Sequence, residues 1–326
     1  MQDFSSTKIY DFYDSIKEKD IEWLWYPYIP FGKLTLVEGD PGEGKSTLML
    51  NIASLLSTGS PLPASITHID PITVIYQCSE DDIADTIKPR LIQAGADCSK
   101  IAYIVDDDCS LCMDDIRIEE TIRKTSARLL ILDPIQSFLS HDADMSNAAK
   151  MRCLLGKLAA IAAKYKCAIV MIGHMNKSGR GKDLYRGLGS IDIPAISRSV
   201  LMVTRDEEDP TLRYVVQIKS SLAREGDVIG FHIQSGGNIR WVGNNEIRFR
   251  REDFLKESTH AKTDEIIAFL FQTLKNRPVP SADIFNKLRN YRISERTIYK
   301  IKKEMMIKSI KIDNVWYWRL PEEAML

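Results

Sequence analysis

The amino-acid sequence predicts an α/β protein: a mostly parallel central sheet with helices on both faces, followed by a small C-terminal unit of winged helix-turn-helix pattern. Three observations predict it. Short, continuously apolar runs alternate with helical stretches through the first half of the chain. A glycine-rich turn joins the first of those runs to a helix, and a cluster of positive charge marks a separate unit near the C-terminal end. The composition agrees: 326 residues suit one large domain or two ordinary ones, and a 44% hydrophobic share excludes wholesale disorder.

The elements follow in order. KLTLVE (33–38) is a β-type run ending in Gly39-Asp40-Pro41-Gly42, with a helix from there to about Leu56. ITVIYQ (72–77) is the next buried strand, IAYIV (101–105) another, and LLIL (129–132) a fourth that closes on Asp133. Between Ala148 and Ala163 the residues Met151, Leu154, Leu155, Leu158, Ile161 and Ala162 recur at helical spacing and form one stripe. AIVMIG (168–173) is the fifth strand. Beyond Ser199, SVLMVT, RYVVQIK and VIGFHI are separated by turn-like DEEDP, LAREGD and SGGN, which predicts antiparallel strands extending the sheet. The organisation expected is an arm over 1–20, a core over 21–250, a polar linker over 251–262 and a small domain over 263–320.

DEIIAFLFQTL (264–274) is an amphipathic helix stopped by Asn276-Arg277-Pro278-Val279-Pro280, and Ser281 is placed to cap a second helix to about Leu288. Ser294 opens a third, and IKSIKI and VWYWRL flank Asp313-Asn314 as a hairpin. Three helices plus a two-stranded wing make Ser294–Met305 the recognition helix, with Arg296, Thr297, Lys300 and Lys303 its candidate DNA contacts. Between 281 and 311 nine bases face three acids, although the whole chain has a formal charge of −1. A polyanion contact confined to that end is expected. Trp316 and Trp318 alternate with Tyr317 and are read as wing packing ahead of base stacking.

Gly39-Asp40-Pro41-Gly42-Glu43-Gly44-Lys45-Ser46 fits GxxxxGK[ST] and sits between a strand and a helix, the context that this motif requires. Glycines let backbone N–H groups wrap a phosphate, and the helix N-terminus adds a partial positive charge. Gly39 to Thr47 is therefore the expected nucleotide-binding segment for ATP. Lys45 is expected to reach the β and γ phosphates, and the Ser46 hydroxyl to ligate Mg²⁺. A carboxylate at the end of a neighbouring strand should hold the metal's water shell, and Asp133 is that candidate. A second should polarise the attacking water. Glu80 is placed for it if its strand lies beside the phosphate-loop strand, with Asp81 and Asp82 as competitors that instead cap the next helix.

The phosphate loop, the Glu80 strand end, LLILDPIQSFL and IVMIGHMNKSG together resemble the RecA/DnaB-like ATPases, most of all the RepA-type hexameric helicases of plasmids, phages and integrated elements. EWLWYPYIPFGKLTLVEGDPGEGKST and YRGLGSIDIPAISRSVLMV look like that group too, so the likeness covers about 21–250. It implies a RecA-like core, a homo-hexameric ring and ATP sites between subunits. His174 falls where relatives place a polar sensor of the γ-phosphate. The loop Asn176–Leu188, with Lys177, Arg180, Lys182 and Arg186, matches loops that line the ring's channel and grip single-stranded DNA. DnaB-like rings complete each site with a Lys-x-Arg pair from the next subunit. Here QIKSSLAREG offers Lys219, Ser221 stands where the Arg would be, and Arg224 follows; Arg198 and Arg205 are the other options.

No apolar run approaches the roughly 20 residues that span a bilayer, and the polar, acidic start shows no signal peptide. Six scattered cysteines do not read as a disulfide framework, and the lone Cys109-Ser-Leu-Cys112 has no second pair to make a metal site. A cytoplasmic ATPase is expected. The leading expectation is a DNA-dependent ring motor, a replicative helicase or translocase on single-stranded DNA. The alternative is a duplex-DNA-binding regulator or loader that uses ATP as a switch, and a third is a KaiC-like signalling ATPase whose tail docks a protein.

Overall fold

A computed structural model of the protein describes residues 10–321 except 66–69, 107–108, 140–147, 175–191, 207, 244–245, 248–249, 252–253, 255–265, 289–294 and 314. A small antiparallel ribbon, β1 (Trp23–Trp25) and β2 (Ile29–Pro30), comes first. β3 (Leu34–Gly39) runs through the glycine-rich turn into α1 (Lys45–Thr58), and β4 (Val74–Cys78) follows. Next come α2 (Lys88–Gln93), β5 (Ile101–Ala102), α3 (Ile116–Thr125) and β6 (Leu129–Asp133). α4 (Ala148–Tyr165), β7 (Ala168–His174), α5 (Asp192–Ile196) and β8 (Ser199–Arg205) continue the core. β9 (Leu212–Ser220), β10 (Ile229–Ile233) and β11 (Ile239–Trp241) complete it.

These strands build a nine-stranded sheet in the order β11-β10-β9-β8-β3-β7-β6-β4-β5. From β8 to β5 every neighbouring pair is parallel, whereas β8-β9, β9-β10 and β10-β11 are antiparallel. The expected α/β architecture with a mostly parallel sheet is therefore the one that the chain adopts. Its strands read as unbroken apolar runs because both faces are buried. Alternate residues go to opposite sides: Leu129 and Ile131 pack with Leu48, Met49 and Ile52 of α1, while Leu130 and Leu132 pack with Ile122 of α3 and Leu155 and Leu158 of α4.

The C-terminal unit has its own elements: α6 (residues 266–274), β12 (Val279–Pro280), α7 (Ser281–Leu288), α8 (Glu295–Glu304), β13 (Lys308–Ile312) and β14 (Val315–Arg319). Ile266, Leu270, Leu274, Ile284, Leu288, Ile298, Ile301 and Trp318 form a separate hydrophobic core. Trp318 is buried, as the wing-packing reading expects, whereas Trp316 is exposed beside Lys311.

Five expectations are corrected. IAYIV is a strand only at Ile101–Ala102, because beyond Ala102 the backbone of this edge strand leaves the ladder with β4. SVLMVT is not antiparallel: β8 runs parallel to β3, and the direction reverses only at β9. The Glu80 strand does not lie beside the phosphate-loop strand; β4 pairs with β6, and β6 and β7 stand between it and β3. Asp133 likewise ends a strand that β7 separates from β3. The hairpin expected as a two-stranded wing is part of a three-stranded sheet, since β12 pairs with β14 through Val279 and Pro280. Most of the expected linker, and the basic loop with Lys177, Arg180, Lys182 and Arg186, lie outside the described residues.

Candidate active site

Gly39 closes β3, and a Cβ at this position would stand 2.3 Å from the Val203 carbonyl oxygen of the neighbouring β8. The chain can pass this close to β8 because the residue has no side chain. Gly44, at φ +91°, precedes the first turn of α1, and a Cβ on it would meet Ile233 Cδ1 at 2.6 Å. Its carbonyl accepts from the Leu48 amide at 2.8 Å, while no side chain caps the helix. The uncapped N–H groups of the first turn, added to the helix dipole, favour an anion over this loop.

Lys45 lies folded back over the loop, with Nζ donating to the carbonyls of Gly39 at 2.9 Å and Asp40 at 2.8 Å. It is 4% exposed, and burial lowers its pKa against the opposing pull of Asp133, Glu43, Asp40 and Glu80. The sheet thus gathers one ammonium and several carboxylates where β3, β6 and β4 end. The register places Cys78 opposite Asp133, and the Ser79 amide donates to the Asp133 carbonyl at 3.2 Å. Glu80 is exposed, and its carboxylate makes no hydrogen bond or ion pair with the described residues. Its two competitors are occupied: Asp82 accepts from the amides of Ala84 and Asp85 as a helix cap, and Asp81 pairs with Arg90 at 2.9 Å.

His174 is the last residue of β7 and pairs across the ladder with Gly39, the first residue of the loop. Lys219 is engaged within its own chain, Nζ donating to the carbonyls of Pro194 at 2.8 Å and Ala195 at 2.9 Å. Burial and the nearby Arg198 lower its pKa. Arg224 is exposed and has no hydrogen-bonding or ionic partner among the described residues. Arg205 lies against the phosphate loop of its own chain, donating to the Gly42 carbonyl at 3.2 Å. In the C-terminal unit Arg296, Thr297, Lys300 and Lys303 all fall on α8, with Lys303 exposed.

Sequence reasoning missed three residues here. Arg213, 6% exposed, donates to the carbonyls of Glu43, Pro210 and Leu212 and so ties β9 to the loop. Glu38, one residue before the loop, is 1% exposed, and burial pushes its pKa up to about 7. Tyr76, on β4, donates from its hydroxyl to Asp133 Oδ2 at 2.6 Å. A hydroxyl or carboxyl inside an otherwise apolar strand needs an explanation, and VEG and VIYQC carried that signal.

The donor set suits magnesium. A serine hydroxyl and one buried carboxylate are hard oxygen ligands, and Mg²⁺ is held by one or two of these together with phosphates and water. Among the described residues no group of three or more His, Cys, Asp or Glu forms a dedicated metal cage. No helix among them is long and apolar enough to cross a membrane.

Comparison with known proteins shows the family to which the chain belongs. The profile of the AAA domain family matches residues 4–180, more than half of the chain. The DNA repair protein RadA of Streptococcus pneumoniae is 24% identical over 238 residues, 72% of this chain and 49% of that protein. RadA of Mycobacterium tuberculosis is 26% identical over 151 residues, 45% of this chain and 28% of the relative. The chain thus spans about half the length, or less, of these relatives. Among solved structures, a KaiC-like protein of Pyrococcus horikoshii OT3 is 20% identical with a TM-score of 0.46, covering 66% of this chain and 91% of that one.

Proposed function

We propose that this chain, which belongs to the AAA domain family, is an ATPase that works on DNA as a ring of subunits, a helicase or translocase. The observation that carries the reading is the convergence of Lys45, Asp133 and Glu80 at one end of the sheet, beneath an uncapped helix N-terminus. The loop amides from Gly39 to Thr47 hold the phosphates. Lys45 leaves its two carbonyl partners for the β and γ phosphates, a better match for an ammonium than neutral oxygens. Ser46 and Asp133 hold Mg²⁺, which supplies charge neutralisation across the phosphates when bound. Glu80, unpaired and exposed, orients and deprotonates the attacking water. His174, across the ladder from Gly39, is suited to pass the state of the γ-phosphate to the basic loop that follows it.

DNA as the polymer is supported by the relatives, which are named as DNA repair proteins, and by the basic helix α8. A base from the next subunit completes each site. Arg224 is better placed for this than Lys219, whose ammonium is already satisfied by two carbonyls of its own chain. The division into arm 1–20, core 21–250, linker 251–262 and winged helix 263–320 is part of the same reading.

The separate core of the C-terminal unit favours a second reading, a duplex-binding loader that uses ATP as a switch. A forked DNA substrate separates the two. With ATP and Mg²⁺, strand displacement and assembly into a ring on single-stranded DNA support the motor. Protection of one duplex sequence with no displacement, by a protein that does not form rings, contradicts it and selects the switch. In either case Lys45→Ala should weaken ATP binding on the order of 10-fold or more, as removal of a charge-assisted contact does.

A further inference from the structure

The Asp133 carboxylate is 4% exposed, and a buried carboxylate needs donors. It has one among the described residues. The Tyr76 hydroxyl reaches Oδ2 at 2.6 Å from the adjacent strand, and Tyr76 itself is only 3% exposed. Oδ1 accepts no hydrogen bond from any described residue. Among the carboxylates that act on the Lys45 ammonium, Asp133 acts most strongly. Two outcomes compete for this carboxylate: a fixed rotamer held by a neutral phenol, or collapse onto the ammonium of Lys45.

We infer that Tyr76 is a positioning residue for the metal carboxylate: its hydroxyl anchors Asp133 Oδ2, keeps the group off Lys45 and leaves Oδ1 for the water shell of a nucleotide-bound Mg²⁺. The inference rests on the proposed ATP site. A phenol suits this role because it is neutral, stiff and buried in the α1-side core with Val74 and Ile131. It gives the carboxylate one strong hydrogen bond without neutralising it, as a lysine or arginine would. It also ties the strand that carries Glu80 to the strand that carries Asp133, since side chain and backbone both bridge β4 and β6 at this level. Partners that orient a metal ligand in this way typically govern metal affinity by about 10–100-fold.

Tyr76→Phe keeps the ring and removes the donor. The full chain would be titrated with Mn²⁺ by electron paramagnetic resonance in the presence of ADP, and ADP binding measured with and without metal. The expected result is a half-saturating Mn²⁺ concentration raised on the order of 10-fold or more, with metal-free ADP affinity unchanged. Adding Tyr76→Phe to Asp133→Asn should produce no further change, because the hydroxyl acts through the carboxylate. Unchanged metal affinity in Tyr76→Phe overturns the inference. So does equal weakening of ADP binding with and without metal, which marks a packing role. A wild-type chain that binds no ADP overturns the ATP-site reading itself, and the inference with it.

Discussion

At Glu38 the chain buries a carboxyl group one residue before the phosphate loop, with Oε2 unpaired among the described residues. Burial alone raises its pKa from 4.5 to about 7. The folded state therefore holds a proton that the unfolded state releases near pH 4.5, so this group's contribution to stability is intact below that pH. It is lost progressively as pH rises from there through about 7 and is gone above it. Over that window the loss amounts to about 3 kcal/mol at most. Glu38→Gln keeps the shape and removes the titration. Urea unfolding should show a flatter pH dependence for this variant between pH 5 and 8 (~3 pH units, bracketing the raised value), and greater stability than wild type at the alkaline end. Identical pH profiles would show that Glu38 does not titrate in that range.

Among the elements, the antiparallel extension has the clearest bearing on the site. β9 reaches the phosphate loop through Arg213, whose guanidinium is shared among three carbonyls and has no carboxylate within ion-pairing distance among the described residues. Arg213→Leu fills much of the space and takes this donor from the Glu43 and Pro210 carbonyls, while Leu212 keeps the Asp206 amide at 3.0 Å, which should cost about 1–3 kcal/mol in unfolding free energy. It should also weaken ATP binding, because the Glu43 end of the loop loses its tether. Loss of stability with unchanged ATP affinity would confine Arg213 to packing. α4 offers the contrasting case, where only packing is at stake: Leu158, 0% exposed, should lose about 2–5 kcal/mol on truncation to Ala, with nucleotide affinity untouched.

At the scale of the whole molecule, the parts visible in the sequence are those fixed by local pattern. The phosphate loop declares itself by glycine spacing, the strands by apolar runs buried on two faces, and α4 by its stripe. Strand order is not local. Nothing between residues 33 and 80 says that β7, nearly a hundred residues further on, inserts beside β3 and pushes the Glu80 strand outward. From their displaced strands Asp133 and Glu80 still act electrostatically on Lys45. Tyr76 and Arg213 were illegible for a related reason: each acts on a partner far away in sequence, and a lone Tyr or Arg in a strand has no spacing to betray it. The C-terminal unit gives a prediction at this scale. Its nine bases within 281–311 should make duplex binding salt-dependent, with a slope of about −0.9 per phosphate contacted. A chain ending at residue 262 should lose that component while retaining ATP binding.

The central claim is that the phosphate loop, Asp133 and Glu80 hydrolyse ATP in response to DNA. The most direct test is steady-state ATP hydrolysis with and without single-stranded DNA, with Lys45→Ala as the blank. The account predicts several-fold stimulation by the single strand, absent in the blank. Hydrolysis indifferent to single-stranded DNA, or equal in wild type and Lys45→Ala, would contradict it.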